Sequence, residues 1–234
     1  MIDLQPQIIL SNLPLFLEGL LMTLKLTGYS LLIGLLLAMP LARLRVSRNR
    51  WGRQLVWAYT YFFRGTPMLL QLLVIYYGLS QFELVRHSLF WEYLREPYWC
   101  ALIAFSLNTC AYTIEILAGS MRNIPHGEIE AARAYGMGSL TLFRRIILPS
   151  ALRRAIPSYS NEVILMLQGS SIASAVTLVD LTGAGRNIYT EYYAPFEAFI
   201  FIGLVYMVMT FALVGIFKLL ERRFLAYLAP RPRR

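Results

Sequence analysis

Long apolar stretches alternate along this chain with short segments rich in arginine, and the stretches are of membrane-crossing length. The first, Gly19 to Ala42, carries one charge, Lys25, and its 24 residues, at about 1.5 Å of rise each, cover a hydrocarbon layer of about 30 Å with some tilt. Four more follow: Leu55 to Leu79, interrupted at Arg64-Gly65-Thr66-Pro67, then Trp99 to Leu117, Val163 to Val179 and Ala198 to Phe217. The pattern predicts an all-α, polytopic membrane protein with five transmembrane helices. Residues 1–234 are expected to form one transmembrane domain with its core at about 19–220.

The charges test that alternation. The segments after the first, third and fifth stretches hold 17 of the 22 Lys and Arg, and cationic loops stay on the cytoplasmic side. The expected topology therefore has the N-terminus outside and the C-terminus cytoplasmic. Glu83, Glu92, Glu96, Glu191 and Glu197 fall on the opposite side, together with Trp91, Tyr98, Trp99, Tyr189, Tyr192 and Tyr193, which read as an interfacial aromatic belt.

Composition narrows the chemistry. Hydrophobic residues make up 57% of the chain and charged ones 15%, against roughly 45–50% and about 25% in soluble domains. With the mean hydropathy of +0.53, this marks a lipid-embedded chain and explains the net charge of +9 as loop arginines, not as a nucleic-acid surface. Neither Lys25 nor Lys218 follows a glycine, so no Gly-Lys-Ser/Thr phosphate loop exists and ATP is not hydrolysed by that route. Cys100 and Cys110 have no second pair and no nearby His, so buried free thiols are expected, with no metal site. No Lys or Arg precedes Lys25; without the basic start of a cleavable signal peptide, the first stretch is expected to remain in the mature protein.

The hydrophilic segment at about 119–158 reads as helical. After Pro125-His126-Gly127, Glu128 and Glu130 lie in a first turn, where the helix dipole favours acids, followed by Ala131, Ala132 and Ala134. Gly136 and Gly138 are each able to end that helix in the left-handed conformation. Ser139 is a candidate cap for a second helix, Leu140 to Ile147, closed by Leu148-Pro149. The result is a helix, sharp turn, helix unit whose small residues let another protein dock closely. The alternative is an amphipathic helix lying on lipid headgroups.

Glu130-Ala131-Ala132, Gly136, Ile146 and Leu148-Pro149 keep the E-A-A, three residues, G, nine residues, I-x-L-P spacing of the membrane subunits of binding-protein-dependent ABC importers, which the chain resembles. Phe63-Arg-Gly-Thr-Pro67 with Gln71, Leu107-Asn-Thr-Cys-Ala-Tyr112 with Glu115, and Pro157 followed by Asn161-Glu162 resemble the polar amino-acid branch. The wording is most similar to M-type permeases of histidine/lysine/arginine/ornithine systems. The resemblance implies a permease of the bacterial inner membrane with no catalytic residues and no cofactor of its own. It also implies a second permease subunit, favoured to be a different chain, two copies of an ATPase that holds ATP and Mg²⁺, and a periplasmic binding protein. The unit around Gly136 would be the coupling helix, with Glu130 contacting the ATPase and Gly136 setting the turn.

Ionisable and amide groups at bilayer depth are costly and mark candidate paths. Asn108, Tyr112 and Glu115 share a helix face by their i, i+4 and i+7 spacing. Asn161 and Glu162 begin the fourth stretch, and Arg64 sits beside the Gly-Thr-Pro break, which survives in lipid only if buried in protein or lining a watery cavity. For a cationic amino acid, Glu115 or Glu162 would meet the side chain and Arg64 the carboxylate; the other reading is that these groups hold the helices together. Gly169, Ser170, Ser171, Ala173, Ser174 and Ala175 predict close helix packing. A secondary transporter or channel subunit is the competing class, but paired broken helices and a filter motif are not found.

Overall fold

The computed structural model describes residues 6–225; the first five residues and the C-terminal stretch with Arg231, Arg233 and Arg234 lie outside the described residues. Within them the chain is helical, with no strand. Helix α1 (Pro6–Ser11) leads into α2 (Leu13–Arg45), a 33-residue helix. Then come α3 (Arg50–Gly65) and α4 (Met68–Leu73), the latter continuing through a π turn and a 3-10 turn to Gln81. Two one-turn helices, α5 (Glu83–Arg86) and α6 (Trp91–Leu94), precede the 26-residue α7 (Pro97–Arg122). The second half holds α8 (His126–Ala134), α9 (Ser139–Leu142), α10 (Leu148–Gly169), α11 (Leu181–Tyr192) and α12 (Pro195–Phe224).

Helix α7 is the axis of the bundle. Of its most apolar window 72% is buried, against 28% for α2 and 6% for α12. It packs along most of α2, in the same direction, since Gly34 meets Thr109 and, further along both helices, Arg45 meets Glu115. The close approach needs Gly34: a Cβ there would lie 2.5 Å from Thr109 Cγ2 and 3.2 Å from the Cys110 nitrogen, so the helices would have to part. One apolar cluster joins Ala38, Ala42, Val56, Ile114 and Ala151 at the end of the bundle that carries Arg45; a second joins Leu26, Leu72, Phe105 and Met166. Both expected free thiols, Cys100 and Cys110, are buried.

Helices α2, α7 and α12 are long and apolar enough to cross a membrane, and the bent pair from Ser139 to Val176 and Leu181 to Tyr192, at 48°, adds up to one more. The expected second stretch is two helices, and Arg64 and Gly65 belong to the first of them; only Thr66 and Pro67 are non-helical. The expected fourth stretch begins much earlier. Pro149 lies in the first turn of α10, directly after the wider π turn Phe143–Ile147, and helical structure carries past the proline's missing N–H, running from Ser139 to Val176 instead of closing at Leu148-Pro149. The small residues of this stretch do permit the expected approach: Ser170 and Ala173 are fully buried, and Gly169 abuts Met68.

Helix α11 occupies a segment expected to be loop. Asp180 caps it by accepting from the Gly183 nitrogen at 2.8 Å, and Leu181, Ala184, Gly185 and Ile188 form its buried face. Thr23 of α2 holds it in place by accepting from the Leu181 nitrogen at 3.0 Å. Gly19 makes room, since a Cβ there would lie 2.8 Å from the Asp180 carbonyl.

Candidate functional site

The break between α3 and α4 has a specific cause and a specific remedy. In a continuous helix the nitrogen of residue 67 would donate to the carbonyl of Phe63, and proline has no N–H to give. Gln71 replaces it: its amide nitrogen lies 2.8 Å from the Phe63 carbonyl, 3.0 Å from the Thr66 carbonyl and 2.7 Å from Thr66 Oγ1. Asn108 of α7 completes the set, donating to Gln71 Oε1 at 3.0 Å and approaching the Phe63 carbonyl at 3.3 Å. Gln71 and Asn108 are both buried, so the exposed backbone of the break is satisfied from inside the protein, as a low-dielectric setting demands.

Asn108, Tyr112 and Glu115 do share the face of α7 that meets α3. The Arg64 guanidinium lies 5.2 Å from the centre of the Tyr112 ring, within cation–π range. One turn further on, Glu115 Oε1 accepts from Arg45 Nε at 2.6 Å and from Thr60 Oγ1 at 2.9 Å. One carboxylate oxygen thus ties α2, α3 and α7 together. Arg45, Trp57, Thr60, Arg64 and Glu115 line a cavity of about 320 Å³, so Arg64 and Glu115 border one space, as the sequence suggested, but Glu115 already has a cationic partner there.

Asn161 and Glu162 diverge. Glu162 is 6% exposed and accepts from Thr109 Oγ1 of α7 at 2.7 Å, whereas Asn161 is exposed. Gln168, two turns beyond Asn161, is exposed on the same side of α10. The partners Arg45, Thr60 and Thr109 were not singled out from sequence. Thr60 and Thr109 carry no charge to draw attention, and Arg45 reads as one of five loop arginines until α2 is seen to extend through it.

The segment from Pro125 onward is the helix, turn, helix unit the spacing predicts, and Gly136 is its hinge. Gly136 has φ +75°; its nitrogen donates to the Arg133 carbonyl at 2.9 Å, and the Met137 nitrogen donates to the Ala132 carbonyl at 3.2 Å. This pair of bonds is a Schellman motif, which closes α8 and turns the chain sharply. Gly138, expected to share that role, is extended, at φ −65° and ψ 157°. Gly138 also takes the capping position of α9, which has no side-chain cap, so Ser139 is not the cap expected. Ala132 faces inward, while Glu130, Ala131 and Ala134 are exposed and Tyr135 is 88% exposed. Ile146 lies in a π turn, Phe143–Ile147, and Leu148 packs against the cluster of α2 and α7, with Pro149 beside it at the start of α10. Glu128 reaches Arg154 at 3.6 Å, a pair too long and exposed to contribute much. No group of His, Cys, Asp or Glu able to hold a metal ion occurs among the described residues.

Residues 30–226 match the family described as the binding-protein-dependent transport system inner membrane component. The octopine transport system permease protein OccM of Rhizobium meliloti is 49% identical over 205 residues, 88% of this chain and 84% of that one. The histidine/lysine/arginine/ornithine transport system permease protein HisM of Salmonella typhimurium is 46% identical over 214 residues, 91% of each chain. A crystallised amino acid ABC transporter with histidines superposes with a TM-score of 0.83 at 33% identity, covering 95% of this chain and 100% of that one. The MetNI methionine ABC transporter in an inward-facing form shares the fold, with a TM-score of 0.69 at 20% identity over 89% of this chain and 97% of that one.

Proposed function

The chain belongs to the family of binding-protein-dependent transport system inner membrane components, and we propose from that premise that it forms one half of the path by which an ABC importer carries basic amino acids inward. It is a non-catalytic permease subunit of the inner membrane. ATP and Mg²⁺ are handled on a pair of separate ATPase subunits, a periplasmic binding protein delivers the cargo, and a second, different permease chain completes the path. Histidine, arginine, lysine and ornithine are the cargo, a reading supported by the name of the HisM relative. The whole chain, 1–234, acts as one permease domain with a coupling segment at about 119–158. It crosses five times, with the N-terminus outside; the basic loops support this.

The observation that carries the reading is the exposed face of α8, Glu130 with Ala131, ending in the turn at Gly136. A rigid elbow on the cytoplasmic side can pass the closing of an ATPase dimer into α7 and α10 as rigid-body motion. Ile146, Leu148 and Pro149 would anchor the elbow to the bundle. Arg64, Tyr112, Glu115 and Asn161, two of them exposed and two half-buried, would border the path, because polar groups reached by solvent at bilayer depth face water or protein, not lipid. By contrast the exposed residues of α12, among them Phe199, Leu204, Val208 and Phe211, suit lipid. Asn108 and Glu162 would act from behind the path, one holding the break and the other holding α10 to α7.

The test is reconstitution. The assembly purified through this chain, with its ATPase and binding protein, should take labelled arginine into vesicles only when ATP is supplied on the ATPase side. Uptake by the chain alone, or purification without an ATPase, would refute the proposal.

A further inference from the structure

Between the end of α2 and the start of the helical run from Ser139 lies a groove of about 720 Å³. Met39, Pro40 and Leu44 form one wall, and Leu140, Phe143 and Leu148 the other. From Met39 to Arg45, where α2 ends, the wall rises by about 9 Å at 1.5 Å per residue. The groove therefore runs from the apolar body of α2 past its last turn to Ser47 and Asn49, which supply its polar end.

Two arginines complete the lining, Arg43 and Arg144, and no acidic residue does. The Arg43 guanidinium lies over the Phe143 ring, 4.8 Å from its centre, which holds the cation in place across the groove. Neither arginine is ion-paired with a carboxylate among the described residues. An apolar channel with two unneutralised guanidinium groups, opening where a helix leaves the hydrocarbon, complements an acyl chain joined to a phosphate.

We propose that this groove binds one anionic phospholipid of the cytoplasmic leaflet, its phosphate between Arg43 and Arg144 and an acyl chain along Met39 and Leu148. The proposal rests on the cytoplasmic placement of this end of the bundle in the function proposed above, but not on the cargo. Because one wall belongs to α2 and the other to the segment that follows Gly136, the lipid bridges the membrane bundle and the elbow.

The probe is spin-labelled phosphatidylglycerol against spin-labelled phosphatidylcholine, each offered to the full assembly in vesicles. Wild type should prefer phosphatidylglycerol, and Arg43→Gln with Arg144→Gln should weaken that preference by about twenty-fivefold, two cations near an anionic headgroup being worth about fivefold each. Leu140→Trp, which narrows the groove and keeps both charges, should lose the immobilised lipid as well. Arg222→Gln with Arg223→Gln, basic residues of the same side away from the groove, should keep it. Equal loss in that control, or no loss in the double arginine variant, overturns the proposal. So does release of the ATPase subunits by the double variant with lipid preference intact, which would assign the groove to the ATPase. Transport of arginine is measured separately, and its outcome does not bear on the lipid.

Discussion

Asn108 on α7 donates to Gln71 on α4 at 3.0 Å, and Gln71 in turn satisfies the carbonyl that Pro67 cannot reach. Gln71→Leu should therefore leave the Thr66 carbonyl without its side-chain donor, the Phe63 carbonyl with only Asn108 at 3.3 Å, and the Asn108 amide without its Gln71 acceptor, at about 1–3 kcal/mol for each buried group left unmade. The buried thiols Cys100 and Cys110 supply the readout, because a thiol-reactive dye labels them as the detergent-solubilised protein unfolds. A midpoint lowered by several degrees is the expected outcome, and an unchanged midpoint would mean that the break is satisfied in some other way.

Glu115 separates a structural from a transport role. It holds Arg45 and Thr60, with side-chain exposure of 19% and with Arg45 at 16%. Breaking a largely buried pair by removing one member costs about 3–5 kcal/mol when fully buried, and less here, where water reaches the cavity. Glu115→Gln should lower the unfolding midpoint, and Glu115→Gln with Arg45→Gln should restore part of it. If Glu115 also meets cargo, the double variant should still show a raised KM for arginine uptake. Recovery of both stability and KM in the double variant would confine Glu115 to structure.

Two glycines of α2 make a controlled pair. A methyl group at Gly19 meets the Asp180 carbonyl at 2.8 Å, while nothing lies within 4 Å of one at Gly28. Gly19→Ala should displace α11 and destabilise by about 1–3 kcal/mol, whereas Gly28→Ala should be neutral or gain about 0.5–1 kcal/mol from helix propensity. Thermal labelling of the buried thiols ranks them. The reverse order would contradict the packing of α11 on α2.

Much of this was legible in the residues, and the misses have physical reasons. The basic segments and apolar runs announce α2, α7 and α12 because lipid imposes length and loop charge together. Gly136 was readable because only glycine takes φ +75° without strain. Pro149 misled because a proline after a helical stretch usually ends it, yet at the start of α10 it continues one. Helix α11 carried a readable signal in Asp180 with Leu181, Ala184, Gly185 and Ile188, a cap and an i, i+3, i+4, i+7 face, masked by its position in a segment expected to be loop. Glu162 and Asn161, adjacent in sequence, face apart. No periodicity could tell which of them Thr109 would hold, because that depends on how α7 and α10 pack.

The most direct test is the ratio of arginine imported to ATP hydrolysed by the reconstituted assembly carrying Gly136→Val. A β-branched residue in the left-handed region costs about 1–2 kcal/mol or more, enough to distort the turn without touching the apolar bundle. Normal membrane insertion, retained ATPase subunits and a ratio that collapses are the expected result, with Gly136→Asn, which tolerates that backbone better, in between. Wild-type coupling in the valine variant would contradict it.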